Sequence, residues 1–310
     1  MVYHRKQILA AVDGHNIHVQ VWEPEGKANC VIQVLHGLGE YADRYARFAT
    51  AAVSRGLTVC AHDHRGHGKH TNASGHFDNN DGWQKVSADA LTVNDFIREQ
   101  FENVPIVLLG HSMGSYFAQE FAMHYGTRLS GLVLSASTWP ARLTLAPMKL
   151  FAHIESLRLG ACGRSMLLDQ LGFGNFNKPF EPARTELDWL SRDENEVDKY
   201  VADPLCGGPY SCQLWLDLIG VLWGISSDHA LERIRSDLPI LITGGESDPV
   251  GGDMGMTRLA MHYAQTSHQR LSVKIYPQGR HEMLNEINRD EVTADWLDWV
   301  AATTGILRSG

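Results

Sequence analysis

The segment LLGHSMGSYFAQEFAMHYG, residues 108–126, changes its hydrophobic period at a single residue. Residues 106–109 are a continuous apolar run of the kind a buried strand has, whereas Phe117, Ala118, Phe121, Ala122 and Tyr125 recur at helical spacing. Ser112 therefore lies on the turn between a strand and a helix. Such a turn crowds the backbone on both sides, and Gly110 and Gly114, two residues either side of the serine, suit that crowding. The first turn of the helix aims free N–H groups and the positive end of its dipole at the serine. These features make Ser112 a candidate nucleophile.

The same alternation runs through much of the chain. Residues 5–12 and 15–22 alternate around Asp13-Gly14, a hairpin signal in which both turn positions tolerate positive φ. Short apolar runs then alternate with amphipathic segments: CVIQVLHG before 41–55, LTVCAHDH before 86–101, PIVLLGHS before 113–126, followed by LSGLVLSAS. The pattern resumes at LPILITGGESD, a helix near 254–266, LSVKIYPQGRH and a helix from about 284 to 302. It predicts an α/β fold, a mostly parallel eight-stranded sheet with helices on both faces. Between 138 and 228 the alternation breaks into helix-like apolar pieces, and about 90 residues are too many for a loop. The expected organisation is a core of residues 1–137 and 229–310, with 138–228 as a helical cap inserted after the sixth strand, over the strand ends where ligands bind. Leu214, Trp215, Leu218, Ile219, Leu222 and Trp223 are expected mainly to pack the cap's own interior.

A net charge of −9 over 310 residues disfavours nucleic acid or an anionic membrane as a partner attracted at long range. The alternating N-terminus does not resemble a signal peptide, and no stretch is long enough to span a membrane. A cytoplasmic protein is expected, peripheral to a membrane at most through apolar surface of the cap. Five cysteines without a C-x-x-C pair read as buried free thiols. HDHRGHGKH contains His62, His64, His67 and His70, but its spacing matches no common structural zinc pattern, so no metal and no organic cofactor are expected.

A serine hydroxyl needs a histidine to take its proton, and the histidine needs a carboxylate. Of sixteen histidines, His281 follows the last strand-like run and lies C-terminal to the serine and to candidate acids, the order nucleophile, acid, base that a strand–serine–helix elbow implies. Asp248, at the end of LITGGESDPV, is the first choice of acid, with Glu246 as fallback; Asp253 reads equally well as a helix cap. Oxyanion donors are expected from the N–H of Met113 and, in the loop after CVIQVLHG, from Leu38 between Gly37 and Gly39. Glu40 and Arg44, one helical turn apart, are candidates for holding a polar head group, with a surface ion pair as the bland alternative. The charged run WLSRDENEVDKY reads as a solvated face of the cap.

Taken together, VLHGLGEYADRY, AHDHRGHGKH, LLGHSMGS, GGESDPV and GRHEMLNE resemble successive signature segments of the monoacylglycerol lipase and lysophospholipase group of α/β-hydrolases, especially its bacterial members. The resemblance spans nearly the whole chain. It implies the α/β-hydrolase fold, a triad of Ser112, Asp248 and His281, oxyanion donors Leu38 and Met113, and a cap over an acyl pocket. It also implies that Asp63 and Arg65 bind backbone groups in a structural loop. Two departures stand out: Ser115 where a second glycine is usual, and Lys69-His70 where a small hydroxyl residue is commoner. The expected activity is hydrolysis of lipid-like carboxylic esters through an acyl-enzyme. The alternatives are a short-chain carboxylesterase or thioesterase, a proline-type aminopeptidase using Glu155, Glu181 or Glu186 to hold an α-amine, and a non-catalytic binding protein.

Overall fold

The computed structural model describes residues 2–71 and 73–306. The chain opens with an antiparallel hairpin, β1 (Val2–Ala10) and β2 (Asn16–Pro24), with Ala10 opposite Asn16. The connection is longer than the two-residue turn expected at Asp13-Gly14. It is closed by Ala11 N–H to the His15 carbonyl, 2.8 Å, and Gly14 N–H to the Ala11 carbonyl, 2.9 Å. Of the pair only Gly14 is left-handed, at φ +83°. A two-residue turn of that class needs both positions left-handed; Asp13 instead accepts from His15 N–H and from the Arg65 guanidinium.

After the hairpin come β3 (Val31–Leu35), a 3-10 turn (Ala42–Tyr45), α1 (Ala46–Ser54), β4 (Thr58–His62), α2 (Gly82–Gln100), β5 (Ile106–His111), α3 (Met113–Tyr125) and β6 (Gly131–Ser135). A helical stretch follows: α4 (Arg142–Leu159), α5 (Met166–Phe173), α6 (Glu194–Ala202), α7 (Cys212–Ile225) and α8 (Asp228–Leu231). The chain then returns to the sheet with β7 (Ile240–Gly245), α9 (Gly252–Gln265), β8 (Leu271–Tyr276) and α10 (Arg289–Thr304). The sheet order is β1-β2-β4-β3-β5-β6-β7-β8, parallel from β4 to β8 and antiparallel at β1 and β2.

Every residue of β3 to β7 is buried, the physical reason these strands read as mainly apolar runs rather than alternations, with Gln33 tied inside by a hydrogen bond to the Ala90 carbonyl. One side of the sheet packs against Phe48, Ala49, Ala52 and Val53 of α1 and Val292, Trp296, Leu297 and Val300 of α10. The other packs against α2, α3 and α9, through residues such as Val93, Ile97, Phe117, Phe121 and Tyr263. The apolar face of α7 lies foremost against α4, within the helical stretch itself, and also against α2 and α3, so that Leu214, Trp215 and Ile219 join the same cluster as the sheet. The insertion is thereby seated on the core through a shared apolar interior.

Candidate active site

Ser112 follows the last residue of β5 and precedes the first of α3, with φ +51° and ψ −120°. A left-handed serine is strained backbone that surrounding bonds must hold in place. Ser112 N–H donates to the Ser135 carbonyl at 2.9 Å, and the Ser112 carbonyl accepts from Ser115 N–H at 2.9 Å and Ser115 Oγ at 2.6 Å. The serine found where a second glycine is usual thus supplies an extra restraint on the turn. A methyl group on Gly110 would run into the Gly114 carbonyl, and one on Gly114 into the Leu35 carbonyl.

His281 lies in the loop after β8 and Asp248 in the loop after β7, so both come from the strand ends that also hold Ser112. Their side chains are 5% and 2% exposed, and His281 Nδ1 donates to Asp248 Oδ1 at 2.9 Å. The same carboxylate oxygen accepts from Val250 N–H at 2.9 Å. Glu246 is exposed and turns its carboxylate to Gln278 N–H, and Asp253 accepts from Met254 N–H in the first turn of α9. Neither carboxylate meets the histidine. Burial alone pushes His281 towards the neutral form, but the charge and hydrogen bond of Asp248, with Glu282 and Glu40 nearby, outweigh it and raise the pKa. His111, whose ring centre is 4.9 Å from that of His281, is held down to about 3, chiefly by burial, and stays neutral.

The loop 37–40 follows β3 and runs beside the elbow: a Cβ on Gly37 would sit 3.4 Å from Ser112 Cβ. Gly37 and Leu38 line the same cavity as Ser112 and His281, and Gly39 takes φ +74°. Met113 begins α3, where first-turn N–H groups have no helical acceptor.

Glu40 and Arg44 do not form a surface pair. The Arg44 and Glu40 side chains are 12% and 5% exposed, and Arg44 forks onto Glu282 with Nη1 to Oε1 at 2.6 Å and Nη2 to Oε2 at 2.7 Å. Glu40 and Glu282 line the cavity, whereas Arg44 is not among its lining residues. Burial and the facing Glu282 raise the Glu40 carboxyl against the opposing pull of Arg44. Glu282 is held down to about 2, because the charge and two hydrogen bonds of Arg44 outweigh its burial.

The cavity has a volume of about 300 Å³ and is walled by Phe173, Phe176, Leu187, Trp189, Leu190, Tyr200 and Tyr210, all from the insertion. Part of this wall lies inside the run expected to be a solvated face, where Trp189, Leu190 and Tyr200 are buried. Charged neighbours masked those three side chains in the sequence; their apolar spacing within the run was the available signal. None of the six α7 residues named from the sequence lines the cavity. Glu155 binds Arg158 and Ser165, and neither it, Glu181 nor Glu186 is part of the lining.

His36, His62, His64 and His67 are buried, with burial the largest influence holding each below its usual pKa. Among the described residues no group of three or more His, Cys, Asp or Glu is arranged to hold a metal ion. Asp63 accepts from the backbone N–H of Ala42 at 2.9 Å. Arg65, expected to bind backbone, instead forks onto the carboxylates of Asp89 and Asp13, the stronger partners for a buried guanidinium. All five cysteines are free, but Cys162 is exposed and Cys206 only partly covered, unlike the buried thiols expected. No helix among the described residues is long and apolar enough to cross a membrane.

Comparison with known proteins adds to this geometry. The model of the family described as serine aminopeptidase, S33, matches residues 26–288. A monoglyceride lipase of Mus musculus is 30% identical over 94% of this chain and 89% of its own length. A monoacylglycerol lipase of Mycolicibacterium smegmatis is 26% identical over 95% of this chain and 96% of its own. The solved structure of a highly thermostable carboxyl esterase from Bacillus coagulans, in complex with glycerol, superimposes with a TM-score of 0.87 at 26% identity, covering 98% of this chain and all of that one.

Proposed function

Because the chain belongs to the serine aminopeptidase S33 family of α/β-hydrolases, in its monoacylglycerol lipase-like group, and is an ester hydrolase, we propose that Ser112, Asp248 and His281 are its catalytic triad and that a monoacylglycerol is its substrate. The observation that carries the triad is a strained Ser112 opening onto the same cavity as a buried His281 whose Nδ1 is bonded to Asp248. A carboxylate only accepts, so Nδ1 holds the proton and Nε2 is left free to act as base.

His281 Nε2 takes the Ser112 Oγ proton as Oγ attacks the ester carbonyl, and the developing oxyanion is held by the N–H groups of Leu38 and Met113. Asp248 stays ionised and steadies the imidazolium. The same proton then passes to the leaving alkoxide, glycerol is released, and water activated by His281 hydrolyses the acyl-enzyme. No step requires a metal or organic cofactor.

A cavity of about 300 Å³ is at the small end of ligand sites, which suits one acyl chain rather than several. Phe173, Leu187 and Trp189 also border an outer groove of about 720 Å³, whose other side carries Asp169, Arg184 and Glu186, so a longer tail has room to continue along its apolar edge. The insertion is read as a cap that also meets lipid: Leu143, Leu150 and Leu157, seven residues apart on α4, are 91%, 63% and 89% exposed, and Met166 on α5 is 86% exposed. An amphiphilic substrate collects at such apolar surfaces.

The test is hydrolysis of monoacylglycerols, lysophospholipids, p-nitrophenyl esters of graded length and a proline aminopeptidase substrate, with Ser112→Ala as control. Preference for the monoacylglycerol, with kcat lost by up to about 10⁶-fold in Ser112→Ala, is the expected result. Rates that fall steadily as the acyl chain lengthens beyond acetyl would remove the lipid pocket, and full activity of Ser112→Ala would remove the triad.

A further inference from the structure

Acylation needs two loops in register: 37–40, which presents the Leu38 amide, and 281–282, which carries the base. Their parent strands β3 and β8 are separated by β5, β6 and β7, so no ladder of hydrogen bonds sets the spacing directly. What spans the gap is Arg44. Its two terminal nitrogens lie 2.6 and 2.7 Å from the two oxygens of Glu282, the residue after His281, and Nη1 is also 3.2 Å from Glu40 Oε2. Glu40 Oε1 in turn accepts Gly37 N–H at 2.6 Å and the Tyr45 hydroxyl at 2.9 Å.

The other side of Leu38 is tied as well. The Gly39 carbonyl accepts from the Tyr200 hydroxyl at 2.7 Å and Gly207 N–H at 2.8 Å, and the Arg44 guanidinium lies 4.8 Å above the Tyr200 ring. Gly37 and Gly39 are therefore both held by groups that meet at the guanidinium. A planar fork matches a carboxylate at two points, which a lysine ammonium does not.

We propose, resting on the triad reading above, that Arg44 and Glu282 are positioning residues, a buried clamp that joins the oxyanion loop to the histidine loop and sets the distance between Leu38 N–H and His281. The charge of Arg44 alone does not do this; the two-point geometry does.

The experiment compares Arg44→Lys and Glu282→Gln with the unsubstituted protein and Ser112→Ala. Rates on a monoacylglycerol and a p-nitrophenyl ester are expressed per site titrated with a fluorophosphonate, so that misfolded molecules are not counted; Ser112→Ala, which lacks the serine that the reagent labels, is expressed per mole of folded protein measured by circular dichroism. Arg44→Lys should lower kcat about 10- to 100-fold with KM changed less than about threefold, since a misplaced donor acts on the transition state. Affinity for a trifluoromethyl ketone, which forms a tetrahedral oxyanion adduct, should fall by the same factor. Glu282→Gln should lower kcat similarly and move the acidic limb of kcat/KM to lower pH. The groups facing His281 are Asp248, Glu282, Glu40 and the neutral His111, so the substitution removes one of three carboxylates.

An unchanged kcat per titrated site and unchanged ketone affinity in Arg44→Lys would overturn the clamp. If that variant does not accumulate folded, the same two measurements on Glu282→Gln decide. An inactive Ser112→Ala beside normal clamp variants rejects the clamp alone, whereas an active Ser112→Ala rejects the triad and the clamp with it.

Discussion

Asp248→Asn is expected to be milder here than the usual effect of that exchange in a triad. Where the asparagine amide turns its NH₂ to the histidine, the wrong tautomer is fixed and kcat falls about 10⁴-fold. In this protein Asp248 Oδ1 accepts from both His281 Nδ1 and Val250 N–H, each at 2.9 Å. Turning the amide over would set its NH₂ against the partly buried Val250 donor, replacing a hydrogen bond with two opposed donors at about 1 kcal/mol or more. The oxygen is therefore retained at Oδ1, and the productive tautomer with it. What is lost is the charge. Opposite unit charges about 4 Å apart attract by about 4 kcal/mol at an effective dielectric of 20. Part of this survives, because Glu282 and Glu40 also face the ring. A net loss of about 3–4 kcal/mol corresponds to about 10²- to 10³-fold in kcat/KM. Asp248→Ala, which loses charge and hydrogen bond together, should fall about 10⁴-fold. Steady-state hydrolysis of a p-nitrophenyl ester from pH 5 to 9 measures both. The acidic limb of Asp248→Asn should lie at lower pH, since a group that raises the histidine pKa has been neutralised. Equal losses in the two variants would refute the role given to the Val250 amide, and an unmoved limb would refute the part given to the Asp248 charge.

Two further outcomes follow from features outside the proposed triad. His36 and His64 are held well below the ordinary histidine pKa and His62 and His67 down to about 4, mainly by burial. The unfolded chain then binds protons that the folded one does not, so their contribution is complete above about pH 6.5 and is lost as pH falls towards 4, at about 1.4 kcal/mol per pH unit for each. Asp63 and Asp217, pushed up to about 6 chiefly by burial, oppose this in part. Denaturant unfolding should give a lower free energy at pH 5 than at pH 7, and equal values would contradict a neutral histidine cluster. Replacing Leu143, Leu150 and Leu157 together by serine should weaken co-sedimentation with zwitterionic phosphatidylcholine vesicles by at least about tenfold. Hydrolysis of a soluble p-nitrophenyl ester should be untouched, and retained vesicle binding would place the lipid contact elsewhere.

The parallel strands were legible because a strand covered on both faces has no polar alternation, and β3 to β7 are buried at every residue. The elbow was legible because its period change and its two glycines are local. Candidate residues after β3, β5, β7 and β8 were legible by position, since in a parallel sheet every strand ends at the same edge. The hairpin was legible too, but its turn depended on Asp13 being drawn to Arg65, 52 residues away.

The sequence by itself determined the order of elements and which short segments stand at the strand ends, because periodicity, glycine and chain order are properties of neighbours along the chain. Only the tertiary structure decided that Asp248 rather than Glu246 meets His281, that Arg44 forks onto buried Glu282 across 238 positions, and that Trp189, Leu190 and Tyr200 leave a charged run to wall the cavity. Each of these is a pairing between distant segments. Its free energy comes from burial and from hydrogen bonds that do not exist until the sheet has brought the loops together, and a local pattern carries no record of them.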